Sequence, residues 1–243
     1  MTAAGNGNEA SAGPRYAVYF VPAPSSELYR FGAAALRYDC YTGAGVAPLF
    51  DAAISPADWT ELTREPQTYG FHATLKAPFR LRPEYQESDL LDSFRAFASA
   101  THHLPTIMPS IEVLESFIAI VPLEANPELD ALAAACVQAF DQFRTPMTAE
   151  ERARRVGPSL SLRRTQNIDR WGYPYVFEDF RFHMTLTGRI QPDRRAAILS
   201  LLQEQFSKRH GDHLIAVDGI ALLRQDHPDA HFRVIDHSFA TIS

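Results

Sequence analysis

The chain has few cysteines, no long apolar run and no excess of positive charge. Cys40 and Cys136 lie far apart without the spacing of a metal site, and two free thiols are typical of a reducing compartment. No apolar stretch approaches the roughly 18 residues that a membrane-spanning helix needs. The formal net charge of −6 argues against a general binder of duplex nucleic acid, which normally has a basic face. We therefore expect a cytoplasmic protein without membrane or duplex nucleic-acid partners, whose oligomeric state the sequence leaves open.

Motifs that define several common classes of site are also absent. The nine histidines include no His-Glu-x-x-His spacing, and the sequence has no glycine-rich phosphate loop, dinucleotide fingerprint or Gly-x-Ser-x-Gly elbow. We expect no metal and no cofactor. Residues 1–13 lack the basic and apolar regions of a signal peptide, and their small and polar composition predicts a disordered tail. Residues 14–243 are enough for one domain with a large core.

Two short segments repeat the pattern Phe-His-x-Thr-Leu, at residues 71–75 and 182–186. Alternate side chains of a strand share a face. The four polar side chains would therefore form two pairs, His72 with Thr74 and His183 with Thr185. A single His-x-Thr is more often a hydrogen-bonded histidine beside a good strand residue. The repetition of both polar positions instead favours a site with two imidazoles for proton transfer and two hydroxyls for binding oxygen.

A fainter repeat surrounds the two motifs. Residues 20–35 are echoed by residues 120–135, and each unit then has a motif strand, a helix and a strand. Because most strands are not separated by single crossover helices, we predict an α+β fold with antiparallel sheet. The repeat units are expected at about residues 15–115 and 117–239, within one domain.

Capping and turn residues predict where several elements begin. The aromatic and β-branched stretch at residues 15–21 is typical of a strand. Ser25 or Ser26 can cap a helix that begins near residue 27, and Ser55 followed by Pro56 can start another. A helix to about His210 and two strands are expected after the second motif.

The paired motifs resemble those of the two-histidine phosphoesterase superfamily, which includes the RNA ligase-like cyclic phosphodiesterases. Residues 69–79 and 180–188 are similar to a branch of unknown function that is encoded in bacterial phosphonate-utilisation operons. The resemblance extends from residue 15 to about residue 239. It implies two lobes related by a pseudo-twofold axis, with antiparallel sheets lining a central cleft, helices outside, and strands exchanged between the lobes.

The residues and the resemblance together predict a metal-independent phosphodiesterase. In-line hydrolysis needs a base on the attacking water and an acid on the leaving oxygen, and two histidines related by a twofold axis meet that need. The resemblance implies a small cyclic ester, with a cyclic ribose phosphate of phosphonate breakdown as the natural candidate. Two alternatives remain: an RNA 2′,3′-cyclic phosphate phosphodiesterase and a non-catalytic sensor of a phosphate ligand. Intact histidines and threonines in both motifs favour an enzyme, although the sequence does not assign the base and the acid.

Continued alternation adds two residues to the predicted site. Lys76 falls on the face of His72, and Thr187 falls on the face of His183. The Lys76 ammonium could bind a phosphate of the substrate, whereas many relatives have an apolar residue at this position. The competing interpretation is a lysine that turns outward at the end of the strand.

The segment at residues 145–180 has no counterpart in the first repeat unit. It contains six arginines from Arg152 to Arg170, followed by aromatic residues. One interpretation is a solvated loop around a short helix. The other is a lid, in which arginines bind phosphate through paired hydrogen bonds and aromatic side chains stack on a ring. The lid would use Arg163, Arg164, Arg170, Trp171 and Tyr173.

Overall fold

The computed structural model describes residues 13–49, 54–101, 105–157, 160–211 and 213–239. Its strands are β1 (Arg15–Phe20), β2 (Ala73–Phe79), β3 (Thr106–Ile107), β4 (Pro109–Leu114), β5 (Phe117–Pro122), β6 (Met184–Thr185), β7 (Ile215–Ala216), β8 (Gly219–Gln225) and β9 (Arg233–Phe239). Its α-helices are α1 (Glu27–Leu36), α2 (Pro56–Gln67), α3 (Glu87–Ala100), α4 (Pro127–Phe140), α5 (Ala149–Arg155), α6 (Leu162–Trp171) and α7 (Pro192–His210). None of the helices in these ranges is long and apolar enough to cross a bilayer. The predicted N-terminal tail lies almost entirely outside the described residues.

A seven-stranded antiparallel sheet organises the fold, in the order β4-β5-β6-β2-β1-β8-β9. Strands β3 and β7 form a separate two-stranded sheet. Helices cover the large sheet from outside: α4 packs on β2, α7 packs on β4, and α3 packs on β8 and β9. The predicted α+β fold with antiparallel strands and outer helices is confirmed.

The helix starts follow the expected capping chemistry. The Ser26 hydroxyl accepts a hydrogen bond from the Tyr29 amide at the start of α1. Ser55 caps α2 in the same way, and Pro56 is the first helical residue. These side chains satisfy amide groups that the first turn of a helix leaves unpaired.

The two motif strands are neighbours in the middle of the sheet, where Ala73 pairs with Met184. Their outer partners have an equivalent register, since Tyr19 of β1 lies opposite Thr74 and Ala119 of β5 lies opposite Thr185. The two copies of the motif therefore have equivalent neighbours in the sheet. The division of the chain into two repeat units and two lobes stays a prediction.

The second motif forms less strand than its sequence predicts. Strand β6 contains only Met184 and Thr185. After it, the amides of Leu186 and Thr187 both donate to the Ile118 carbonyl, so the regular ladder ends there. The polar residues of the motif nevertheless keep their places beside β2.

Helix α1 packs directly behind the first motif. Phe71 is fully buried, and its ring occupies the space beside Gly32 of α1. A Cβ atom at Gly32 would lie 2.0 Å from Cγ of Phe71, far inside van der Waals contact. Because Phe71 precedes His72, this contact controls where the first histidine lies.

The Gly32→Ala substitution should therefore destabilise the protein and displace the first motif. Alanine is the better helix former by about 1 kcal/mol, but overpacking of a core typically costs about 1–3 kcal/mol. We expect the clash with Phe71 to dominate, giving a net loss of unfolding free energy in urea denaturation. Gly45→Ala is the matched control, since nothing lies within 4 Å of its Cβ position. Unchanged or increased stability of Gly32→Ala would contradict the proposed contact.

Candidate active site

Both motifs line a cavity of about 440 Å³ over the middle of the sheet. His72, Thr74, His183 and Thr185 all contribute to its wall. The structure thus brings together the polar side chains of two motifs that are separated by more than a hundred residues in the sequence.

The register of the motif strands determines how these side chains are arranged. Ala73 and Met184 are paired in antiparallel strands. The residues next to this pair therefore face each other, His72 opposite Thr185 and Thr74 opposite His183. The two histidines are then diagonal neighbours, for which Cβ atoms lie about 7–8 Å apart or slightly less. A tetrahedral phosphate between two imidazoles fits this separation.

Each histidine is oriented by the backbone two residues before it. Nδ1 of His72 lies 2.9 Å from the Gly70 carbonyl oxygen, and Nδ1 of His183 lies 2.8 Å from the Arg181 carbonyl oxygen. A carbonyl can only accept, so each Nδ1 carries a hydrogen and Nε2 is the nitrogen that exchanges a proton. Nε2 of His72 lies 3.1 Å from the Thr74 hydroxyl oxygen, which donates to it when the ring is neutral.

Burial keeps both imidazoles neutral in the ligand-free protein. It lowers the pKa of His72 to about 4, to which the nearby His183 also contributes, whereas the hydrogen bond to the Gly70 carbonyl opposes the shift. Burial likewise lowers the pKa of His183, opposed by the bond to the Arg181 carbonyl and assisted by the Arg181 charge. A bound anion would act in the opposite direction and favour an imidazolium.

Aromatic residues hold the histidine rings in place. Tyr19 of β1 is almost completely buried and stacks on His72, with 3.8 Å between ring centroids. Phe117 of β5 contacts His183 at 5.7 Å between centroids. Tyr69 also lines the cavity, 6.1 Å from the His72 ring. These rings limit the imidazoles to a small range of orientations, which proton transfer requires.

Arg189 is a cavity residue that the sequence interpretation missed. It is exposed, lines the cavity and has no ion-pair or hydrogen-bond partner among the described residues. Continuing the alternation of His183, Thr185 and Thr187 by two more residues would have identified it. Tyr19 and Phe117 have no such signal, because only the sheet register places them beside the histidines.

Lys76 does not line the cavity, which corrects the expectation from strand alternation. Val18 pairs with Lys76 and the next residue, Tyr19, pairs with Thr74, so Leu75 is an extra residue in a β-bulge. A bulge interrupts the alternation and turns the following side chain to the other face. Lys76 is consequently buried against α4.

The Lys76 ammonium has a structural role in this position. Nζ donates to the Asp141 carboxylate at 2.7 Å and to the Val137 carbonyl at 3.4 Å. Burial lowers the pKa of Lys76, and the hydrogen bond and charge of Asp141 oppose the shift. Burial alone would raise the pKa of Asp141, but hydrogen bonds from Arg144 and Lys76 lower it overall. The Asp141 carboxylate is therefore ionised at neutral pH.

Thr187 does lie at the cavity wall, but its hydroxyl is already used. It is fully buried, and its Oγ1 accepts a hydrogen bond from the Ile118 amide. The threonine thus holds the end of the second motif against β5.

The predicted lid residues divide into two groups. Arg163, Arg164 and Tyr173 line an adjoining cavity of about 470 Å³, which shares Thr74 and His183 with the first. Tyr173 lines both cavities, and burial raises its pKa to about 12.

Asp179 occupies the two arginines of the adjoining cavity. Nε of Arg163 and Nε of Arg164 donate to its carboxylate at 2.6 and 3.0 Å. Arg170 and Trp171 line neither cavity; the Arg170 guanidinium lies over the Trp171 ring at 5.0 Å from its centroid. The segment forms helices α5 and α6, and its action as a lid stays a prediction.

Across the residues that the structure describes, no three or more histidine, cysteine, aspartate or glutamate side chains are grouped so that they could hold a metal ion.

Substitution of Lys76 should affect stability and leave substrate binding by the folded protein unchanged. Removing one partner of a buried ion pair typically costs about 3 kcal/mol or more, and Lys76→Ala should lower the unfolding free energy on that scale. The KM of the folded fraction should not change, because Lys76 faces α4. The only other lysine, Lys208, is exposed on α7; Lys208→Ala should cost about 0.5 kcal/mol or less. A raised KM with unchanged stability would restore Lys76 as a substrate residue.

Known proteins share sequence and structure with the chain. It is 33% identical over 221 residues to a protein of Janthinobacterium sp. (strain Marseille) named ribose 1,5-bisphosphate phosphokinase PhnN. It is 34% identical over 222 residues to the protein of that name from Laribacter hongkongensis (strain HLHK9). Both matches cover 90% of this chain but only 49% and 50% of the relatives, so the chain spans about half the length of the curated relatives it matches.

One solved structure and one family model also match the chain. A crystal structure of a conserved protein of unknown function from Agrobacterium tumefaciens str. C58 has a TM-score of 0.44 and 13% identity, covering 92% of this chain and 85% of that one. The model of a family described as "Protein of unknown function (DUF1045)" matches residues 74–233. The chain therefore belongs to the DUF1045 family.

Proposed function

We propose that the chain hydrolyses a small cyclic phosphodiester, without a metal ion, through the two histidines as general base and general acid. The proposal is carried by the Ala73–Met184 pairing, which arranges two His-x-Thr motifs around one local twofold axis. In-line displacement at phosphorus needs proton-transfer groups at both ends of the reacting bond axis. Two imidazoles related by a local twofold axis supply one such group at each end.

The reaction begins with a phosphodiester anion bound between the histidines, where its charge favours protonation of one ring. Nε2 of the neutral histidine takes a proton from water as the water oxygen bonds to phosphorus. The bond from phosphorus to one ester oxygen breaks, and the imidazolium gives its proton to that oxygen. The hydroxyls of Thr74 and Thr185 donate to the phosphoryl oxygens as their negative charge increases. The product is a phosphate monoester with a free hydroxyl group.

A ribose phosphate is the substrate that the comparisons favour. The relatives are named for ribose 1,5-bisphosphate. This chain has no glycine-rich phosphate loop, so we assign it a reaction next to the kinase step. Opening the 1,2-cyclic phosphate of ribose 5-phosphate at the bond to O2 yields ribose 1,5-bisphosphate. This substrate also agrees with the phosphonate-utilisation context that the sequence resemblance implies.

The substrate would carry a second phosphate that does not react. Arg189, which has no partner among the described residues, is available at the cavity wall to bind it. A guanidinium suits this role because it forms paired, charge-assisted hydrogen bonds with phosphate. Arg163 and Arg164 both donate hydrogen bonds to Asp179, which makes them weaker candidates than Arg189.

Removal of either histidine should abolish most of the activity while the fold is retained. His72→Ala and His183→Ala should each lower turnover of the cyclic ribose phosphate by about 10² or more, the scale of lost general acid–base catalysis. Phosphorus NMR would follow ring opening directly. His227→Ala is the control, since His227 is exposed and lies outside the cavity. Near-wild-type turnover by either active-site variant would eliminate the two-histidine mechanism.

The same variants would identify the base and the acid. A nitrophenyl ester has a leaving group that needs little protonation, so the variant that lacks the acid should recover activity on it.

Wild-type activity should also withstand exhaustive chelation. Turnover only of RNA with a 2′,3′-cyclic end would replace the small-substrate assignment, and tight binding without turnover of any ester would indicate a sensor.

The kcat/KM of the wild-type protein should peak at acidic pH. The base must be neutral, so the rate rises with pH through the pKa of the base; the acid must be protonated, so the rate falls through the pKa of the acid. Because kcat/KM reports the free protein, the pKa of about 4 for His72 and the lowered pKa of His183 place both limbs below about 6.5. A maximum on the alkaline side of neutrality would contradict the lowered pKa values.

A further inference from the structure

A separate cavity of about 410 Å³ lies just beyond the end of β2 and is rich in arginine. Its charged lining consists of five arginines and one glutamate, namely Arg15, Arg80, Arg144, Arg154, Arg155 and Glu151. The chain as a whole carries a net charge of −6. The composition therefore does not account for this concentration of positive charge, and we call it the arginine cavity.

Several guanidinium groups in the arginine cavity retain unused donors. Arg144 is paired with Asp141, and one terminal nitrogen of Arg80 donates to Glu151 at 3.1 Å. Nε of Arg80, however, is buried without a hydrogen-bond partner. Buried donors are nearly always satisfied, because leaving one unpaired costs about 1–3 kcal/mol. The Arg80 guanidinium therefore has a donor that no described residue uses.

Two arginines of helix α5 add further donors. Arg154 is exposed and has no ion-pair or hydrogen-bond partner within the described part of the chain. Arg155 donates one hydrogen bond, from a terminal nitrogen to the Gly172 carbonyl at 2.6 Å. The remaining donors of both guanidiniums are free to bind an oxyanion.

The arginine cavity is distinct from the cavity of the two histidines. Pro78 is the only residue that the two linings share. Thr74 and Arg80 lie six positions apart along the β2 segment, which corresponds to about 20 Å of extended chain. A single ribose with phosphates at positions 1 and 5 is shorter than this distance. We therefore assign the two cavities to different ligands.

We propose that the arginine cavity binds a second phosphorylated small molecule, through the oxygens of a phosphate or diphosphate group. Guanidinium is suited to this ligand because its planar donors match the geometry of phosphate oxygens. The end of β2 and helix α5 both contribute donors to this lining. This site needs no contribution from the histidines and does not depend on the proposed hydrolysis.

Sodium pyrophosphate is a suitable probe, and calorimetric titration of the full chain would measure its binding. In the His72→Ala/Arg189→Gln double variant, one histidine and the proposed phosphate ligand of the histidine cavity are removed, and pyrophosphate should still bind. Adding Arg80→Gln or Arg154→Gln to this background should weaken the affinity about tenfold, as expected from the loss of one charge-assisted hydrogen bond. Arg209→Gln should have no effect, since Arg209 is on α7 and bonds only within its own helix.

The outcomes separate this proposal from its competitors. Failure of the double variant to bind pyrophosphate would overturn the proposal, as would equal losses in Arg209→Gln and Arg154→Gln. Tight binding of single-stranded RNA that displaces pyrophosphate would overturn the assignment to a small molecule. Arg154→Gln covers the case in which Arg80→Gln does not fold, because Arg154 makes no contact that the fold needs. The expected binding of pyrophosphate would be the same if the chain did not hydrolyse a cyclic phosphodiester.

Discussion

The cavity that contains both histidines depends on one antiparallel backbone pair, Ala73 with Met184. An antiparallel pair has a local twofold axis, so identical motifs centred on it present their histidines and threonines symmetrically. The flanking strands extend the relation, since Tyr19 lies opposite Thr74 and Ala119 lies opposite Thr185. A slip of one residue would send every motif side chain to the opposite face. The cavity therefore forms only with the observed register between β2 and β6 and between each of these strands and its outer neighbour.

Burial of the motifs has an electrostatic consequence. Imidazoles that are packed under Tyr19 and Phe117 lose hydration, and the charged form of each is disfavoured. Backbone carbonyls on Nδ1 oppose this effect and give both rings the same tautomer. The two imidazoles at the centre of the cavity are thus neutral at neutral pH. An anion gains most from binding where it also creates the imidazolium that neutralises it.

The charges of the chain are unevenly distributed around this neutral centre. Some cations are used structurally: Lys76 and Arg144 share Asp141, and Arg163 and Arg164 share Asp179. Arg189 and the arginine cavity keep unpaired donors. The proposed phosphate sites therefore depend on which arginines lack a carboxylate partner among the described residues. It does not follow from the number of arginines in the sequence.

Local chemistry in the sequence was sufficient for the fold class, the helix caps at Ser26 and Ser55, and the four polar motif residues. Each of these follows from alternation or capping over a few neighbouring residues. The bulge at Leu75, which turns Lys76 into the core, required the register between β1 and β2. The arginine cavity and the place of Tyr19 over His72 likewise arise only when distant segments pack together. Short-range patterns specify which side chains share a face, whereas tertiary packing decides what that face meets.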